Sequence, residues 1–139
     1  MQVANNLLPE DLQELEGLGH NILSLLFSYY ASDPCVAFFN KHNDISGIGG
    51  ITYVSKDTGS IWMVCTPNIK ENPYTFVKEA KKWLSEQKQY KILVNIVDDR
   101  NKFHHKLLKL LGFIALRKVL TKPYQLPYIE IVKLCVLHK

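Results

Sequence analysis

The densest run of chemically capable residues is "DDRNKFHHKLLKLLGF", residues 98–113. It places Asp98, Asp99, Arg100 and Asn101 before two adjacent histidines, His104 and His105, and then a regular leucine pattern. Carboxylates near imidazoles can exchange protons or hold a metal. A shared metal is disfavoured, because neighbours on a helix point about 100° apart and no further ligand type stands four residues from either histidine. Other residues offer weaker chemistry. "GIGGI" (Gly47, Gly49, Gly50) resembles a phosphate loop in composition, but it lies inside an apolar strand-like run with no helix behind it. Bulges or close packing explain it better. Cys35, Cys65 and Cys135 are odd in number, far apart and outside any CxxC or zinc spacing. Each sits in an apolar run, which predicts buried, reduced thiols and folding in a cytoplasm. Met63 and Val64 beside Cys65 argue for an inert thiol rather than a nucleophile.

The elements that must carry these residues can be read from periodicity. Residues 1–8 read as a short first strand. Pro9, Glu10 and Asp11 start a helix, with proline in the first turn and acids at the positive end of the dipole. A second helix follows in "HNILSLLFSYYA", with Ile22, Leu25, Leu26 and Tyr29 on one side, and "SDP" stops it. "CVAFF", "ISGIGGITYVS" and "IWMVCTP" are three strands joined by the polar turns "NKHND" and "KDTGS", an antiparallel meander. Asn72 and Pro73 open a helix with Phe76, Val77, Ala80, Trp83, Leu84 and Gln87 on its apolar side. "YKILVNIVD" is a buried strand. The opening stretch is then a helix that buries Phe103, Leu107, Leu110 and Leu111 and turns its charges and histidines outward. "FIALRKVLT" and "YIEIVKLCVL" are the last strands. The order β-α-α-β-β-β-α-β-α-β-β predicts one α/β (α+β) domain over 1–139. Its mixed, mostly antiparallel sheet should have six to seven strands and about four flanking helices.

Composition is that of an ordinary globular domain, 47% apolar and 22% charged over 139 residues. The net charge of +4 comes largely from lysines on helices that alternate charge sign, the mark of a solvated face. The aromatics do not interleave with the lysines, so nucleic acid is not expected as a direct, specific partner. There is no signal-peptide pattern and no apolar run near the ~20 residues of a membrane span, so a protein that is neither secreted nor membrane-bound is expected.

The element order, with "GF" closing the last helix, resembles the GNAT fold of acetyl-CoA-dependent N-acetyltransferases over nearly the whole chain. From Ile61 to Phe113 the chain is similar to a narrower group, the small GNAT-like virion-associated or internal virion proteins of short-tailed phages. The matching residues are Trp62, Thr66, Pro67, Trp83, Asn95, Val97, Asp98, Arg100, Asn101, Leu111, Gly112 and Phe113. Asp99 departs from the small residue common there.

This resemblance carries expectations about a site. A GNAT enzyme holds the cofactor pyrophosphate on backbone N–H groups at a strand–helix junction, with glycines that let the phosphates approach. Here the junction reads "TPNIKENPYTF", which has no glycine. Pro73 removes one donor, and the point charge of Lys70 does not replace a backbone nest. The family's leaving-group tyrosine aligns with Leu108. Asn101 is kept, either as a site residue or as an N-cap, and Asp98 or Glu130 could act as a base or serve only as capping or surface carboxylates. Tyr90 and Tyr124 are distant substitutes for the missing acid. The resemblance therefore implies no intact catalytic set, with Asn101 and Asp98 as the weak candidates. Any surviving cofactor contact would fall on Val64, Cys65, Thr66, Asn68, Lys70 and Asn101, in a cleft between the strands at Cys65 and Ile96. The expected protein has no cofactor and binds other phage virion proteins, in one or several copies, in the virion or in the host cytoplasm during assembly. Residues 1–8 and the loop 121–128 are candidate contacts. The alternative is an acetyl-CoA-dependent N-acetyltransferase acting on a host or phage protein or a small amine.

Overall fold

The computed structural model describes residues 6–135. Its elements are α1 (Pro9–Gly17), α2 (Ile22–Ala31), β1 (Cys35–Phe39), β2 (Ile45–Ser55), β3 (Thr58–Cys65), α3 (Pro73–Ser85), β4 (Ile92–Asp98), α4 (Lys102–Leu110), β5 (Ile114–Thr121) and β6 (Leu126–Leu134), with a 3-10 turn over Pro67–Glu71. The six strands form one sheet in the order β1-β2-β3-β4-β6-β5. Every neighbouring pair is antiparallel except β3 and β4, which run parallel. The α/β class and the mixed, mostly antiparallel sheet follow the sequence expectation.

The expected first strand falls largely on residues 1–5, outside the described residues; Asn6, Leu7 and Leu8 are irregular. The Leu8 N–H still donates to the Cys65 carbonyl at 2.9 Å, so this segment lies along the end of β3.

Side chains alternate along β3 and divide the interior. Ile61, Met63 and Cys65 join the larger core with Phe76, Val77, Ala80 and Leu84 of α3 and Leu107 and Leu108 of α4. Trp62 and Val64 point the other way, toward Leu15 of α1 and Leu25 of α2. The helices thus cover the sheet in two pairs, one on each face.

Local chemistry sets the helix limits. The Asn72 side chain accepts the Thr75 N–H at 3.3 Å with Pro73 at the first helical position, and the Asn101 side chain accepts the His104 N–H at 3.2 Å. Gly112, with φ +92°, lets α4 close on itself, and the Phe113 N–H returns to the Leu108 carbonyl at 3.0 Å.

Four expectations need correction. β3 begins at Thr58, inside what the sequence suggested was a turn, because Thr58, Gly59 and Ser60 continue the ladder to both β2 and β4. The buried face of α4 is rotated from the expected one. Leu110 is exposed, while His104 and Leu108 join Leu107 and Leu111 inside. On α2 Leu25 is buried as expected, but Tyr29 is exposed rather than on the inner side; the side chains of Ile22 and Leu26 lie outside the described ones. Finally, the three cysteines are free, but only Cys65 is buried; Cys135 is half-buried, and Cys35 at the start of the edge strand β1 is exposed.

Candidate functional site

The parallel pair that joins the two halves of the sheet is short. β3 and β4 pair only at Thr58–Ser60 against Ile92–Val94, yet β3 runs on to Cys65 and β4 to Asp98. Beyond Ser60 and Val94 the strands part and leave a split with unpaired backbone groups on both rims. Asn95 bridges its narrow end: its side-chain amide donates to the Ile61 carbonyl, and its Oδ1 accepts the Ile96 N–H at 2.7 Å.

The wide end is filled by α1. Asp11 is buried, and its Oδ2 accepts the Cys65 N–H at 2.8 Å. Glu14, one turn on, accepts the Asp98 N–H at 3.1 Å. One rim group on each strand is therefore satisfied by a carboxylate of the same helix. Asn101 ties the two acids together, donating through Nδ2 to Asp11 Oδ1 at 2.9 Å and to Glu14 Oε1 at 3.2 Å. Tyr128, fully buried on β6, donates its hydroxyl to the Glu14 carbonyl at 2.5 Å. Gly17 makes room for it, since a Cβ there would lie 2.5 Å from the Tyr128 hydroxyl oxygen.

His104 completes the cluster. Its Nδ1 lies 3.5 Å from Glu14 Oε1, at the outer limit for a hydrogen bond, and is the one buried side-chain nitrogen or oxygen without a hydrogen-bond partner among the described residues. Burial works against the imidazolium, but the neighbouring Glu14 and Asp11 carboxylates outweigh it and raise the His104 pKa above the ordinary histidine value. Burial also raises the Asp11 pKa, against the opposing pull of His104, Asn101 and the Cys65 N–H. The cluster is thus two carboxyl groups around one imidazole, with a single amide shared between the acids.

A cavity of about 240 Å³ runs beside this cluster and through the split. It is lined on one face by Ser24, Leu25 and Trp62 and on the other by Trp83 and Leu108, with Glu14 and His104 on its wall. Leu108 stands one helical turn after His104 on α4, so α4 presents an imidazole and a leucine to the same space.

The residues named from the sequence gather around this split in unequal ways. Val64 is buried toward α2. The Cys65 backbone is fully used by Asp11 and Leu8, and burial pushes its thiol pKa well up, which keeps it protonated and unreactive. Thr66 and Asn68 turn their side chains to the Ile45 carbonyl, at 2.7 and 3.0 Å, and so close the 3-10 turn onto β2. Lys70 lies outside the split, paired with Glu10 at 3.4 Å and over the Phe103 ring. Asn101 is both an N-cap and the centre of the buried cluster. Asp98 is buried and held by Arg100 at 2.7 Å; burial would raise its pKa, but the Arg100 hydrogen bonds and charge outweigh that and lower it. Glu130 faces solvent with Arg117. Tyr90 is buried in the larger core and Tyr124 is exposed. Gly47, Gly49 and Gly50 pack in β2 against β3 and Ser32, as expected for close-packed glycines.

Glu14 and Tyr128 were not singled out in the sequence; Asp11 was read only as an acid at a helix start, and His104 was placed on the outer face, whereas both are buried here. Two acids one helical turn apart, with Gly17 a further turn on, form the trace that could have marked Asp11 and Glu14. Among the described residues no group of acids, histidines and cysteines is arranged to hold a metal ion.

No family model and no curated protein matches the sequence. Solved structures do match. An aminoglycoside N(6')acetyltransferase from Legionella pneumophila superposes with a TM-score of 0.69 at 10% identity, over 92% of this chain and 81% of that one. An acetyltransferase of the GNAT family from Streptococcus pneumoniae gives 0.58 at 21% identity, over 82% and 74%. A mutant of spermidine N-acetyltransferase SpeG from Vibrio cholerae gives 0.61 at 10% identity, over 81% and 73%. Identities this low carry the fold alone, and the fold of this chain is the GNAT acetyltransferase fold.

Proposed function

We propose that this chain is a GNAT scaffold turned to protein binding, a virion- or assembly-associated protein of a short-tailed phage whose acyl-CoA cleft is closed by its own first helix. The observation that carries the reading is the plugged split. The Cys65 and Asp98 N–H groups, on opposite rims, are both taken by carboxylates of α1. A cofactor arm lying between the strands would have to displace two acids held by Asn101, Asp11 buried and Glu14 partly so. The segment after β3 adds to this. It is a 3-10 turn followed by a proline-started helix, with no glycine between Thr66 and Phe76 to let a pyrophosphate approach the backbone. The phage assignment rests on the sequence likeness between Ile61 and Phe113. In this reading the protein uses no cofactor, its partners are other virion proteins, and nucleic acid and membrane play no direct part. Among the described residues no helix is long and apolar enough to cross a membrane.

One observation favours a second reading, an acetyl-CoA-dependent N-acetyltransferase acting on a protein or small amine. The cavity beside the cluster reaches His104, whose raised pKa suits it to protonate a leaving thiolate where Leu108 cannot. Titration of acetyl-CoA against the thermal midpoint separates the two. An N-acetyltransferase gains about 2.7 kcal/mol of stability at a hundredfold excess over its dissociation constant. The binding reading expects no shift, and a shift accompanied by amine-dependent thiol release would overturn it. Mass spectrometry of purified particles tests the phage assignment, which falls if the chain is missing from both virions and assembly intermediates.

A further inference from the structure

We propose that the outer face of α2 is a self-association surface, on which a second copy of this chain lays its own α2 antiparallel across a two-fold axis at Phe27. This deepens the binding reading above, and rests on it, by naming one of the partners.

α2 is turned inside out. Among the described side chains of this helix, those toward the sheet are small and polar around one leucine. Ser24 and Ser28 line the cavity, the Ser28 carbonyl accepts the Ser32 hydroxyl at 2.6 Å, and Ser32 in turn accepts the Trp62 indole N–H at 2.6 Å. Leu25 alone is buried among the large side chains described on this helix. The large apolar groups face water instead: Leu23 is 62% exposed, Phe27 75% and Tyr30 81%. These three form one stripe, with a single apolar residue a turn to either side of Phe27.

The occupant follows from charge, symmetry and area. A two-fold contact sets a patch against itself, so a patch dominated by one sign of charge repels its own copy. None of the ten residues of α2 is charged, on a chain with 17 basic and 13 acidic residues. Antiparallel packing about Phe27 sets Leu23 against Tyr30 of the second copy and brings the His20 end of one helix to the Asp33 end of the other. Phe27, Tyr30, Leu23 and the edge of Tyr29 offer roughly 400–500 Å² per copy, about half of the ~800 Å² per partner in a standard interface, so they supply its apolar centre.

A longer exposed apolar stretch, on β5, does not meet this condition. Ile114, Leu116 and Leu120 on the edge strand β5 flank Arg117 and Lys118, and self-pairing there would set like charges together. A lipid surface is also a poorer fit, because helices that lie in a membrane interface carry lysine or arginine on the polar face, where α2 has serines packed toward β2.

Sedimentation equilibrium of the full chain from about 1 μM to about 1 mM tests the proposal. A monomer–dimer equilibrium is expected. Phe27→Asp and, independently, Tyr30→Lys should weaken it by roughly thirtyfold or more, the size of a hot-spot loss, with unchanged circular dichroism. Ile114→Asp should leave it intact. A monomer at every concentration overturns the proposal. So does a dimer that survives both α2 variants or is lost with Ile114→Asp, or Phe27-dependent flotation with anionic vesicles by a chain that never dimerises. None of these outcomes depends on acetyl-CoA, so a failure of this proposal and a failure of the cleft reading are told apart.

Discussion

α4 and α2 are nearly equal in length, nine and ten residues, and lie on opposite faces of one sheet with opposite polarity. α4 puts Leu107, Leu108 and Leu111 inward and its lysines outward. Among its described side chains, α2 puts Leu25 and serines inward and Leu23, Phe27 and Tyr30 outward. The α4 face is closed within the chain: its leucines pack in the core, its buried imidazole meets the α1 carboxyl groups, and its surface is charged. The α2 face leaves a cavity beneath the helix and an apolar stripe above it. Finished burial is where stability resides; unfinished burial is where the chain can meet something else.

The largest expected effect sharpens the first half of that contrast. Leu107 is 3% exposed in the larger core. Leu107→Ala should cost about 3 kcal/mol, within the ~2–5 kcal/mol usual for such truncations, and be read as a lower urea midpoint at constant slope. An effect below about 1 kcal/mol would mean that the α4 face is as loosely packed as the α2 face.

Asn101→Ala should come next, at about 2–3 kcal/mol. It removes the α4 cap and withdraws the donor shared by two inward-turned carboxylates, each a loss of about 1 kcal/mol or more. Hydrogen exchange should show α1 opening before α4, because Asn101 is what joins them through Asp11 and Glu14. If α1 stays as protected as in the parent, the acids hold the split through the Cys65 and Asp98 N–H groups alone.

What the sequence disclosed follows the same division. α3 and α4 were legible because each follows an asparagine cap and carries an apolar stripe at helical spacing, and the meander because its polar turns fall between β-rich runs. Even on α4 the stripe misled by one position. Taking Leu110 as buried and the histidines as outward ignored that an imidazole can be stabilised inside by carboxylates from elsewhere. Those carboxylates come from α1, some 90 residues earlier in the chain, and pairing at that distance leaves no periodic trace. The same reason hid Tyr128, whose hydroxyl meets a backbone carbonyl of α1. α2 was read correctly at Leu25 and wrongly at Tyr29: an apolar spacing was taken to face inward, whereas Ser24 and Ser28 share the sheet side with Leu25. The legible part of the site was Asn101, whose position before a helix carries its own chemistry.

A smaller effect tests the charge state inside the cluster. His104 faces Glu14 and Asp11, and its folded pKa is raised above 6.5. Its protonated form is therefore favoured by folding: that contribution is fully present below about pH 6.5 and is lost as pH rises through the folded value. The parent should lose stability over that interval, and His104→Gln should flatten the slope without shifting the acid side, where Asp98, with its lowered pKa, loses its own contribution as pH falls below 3.8. Chemical denaturation from about pH 3 to about pH 9 reads both. A slope of the opposite sign, or one unchanged in His104→Gln, would show that the imidazole is neutral in the folded chain.

The smallest effect is also the most telling for α2. Phe27 makes up much of the exposed stripe, and its removal uncovers nothing within the isolated chain. At low concentration Phe27→Ser should melt within about 0.5 kcal/mol of the parent, the range of an ordinary surface change. That near-silence is informative only beside a second measurement. Association that favours the folded state raises the melting temperature with protein concentration. The parent should therefore melt higher as concentration rises, and Phe27→Ser should melt at the same temperature throughout. A large loss of stability at low concentration would mean that Phe27 packs within its own chain and that α2 is finished after all. A parent whose melting temperature ignores concentration would mean that the stripe faces water alone, and the contrast with α4 would then reflect a poorly covered surface rather than one built to be covered.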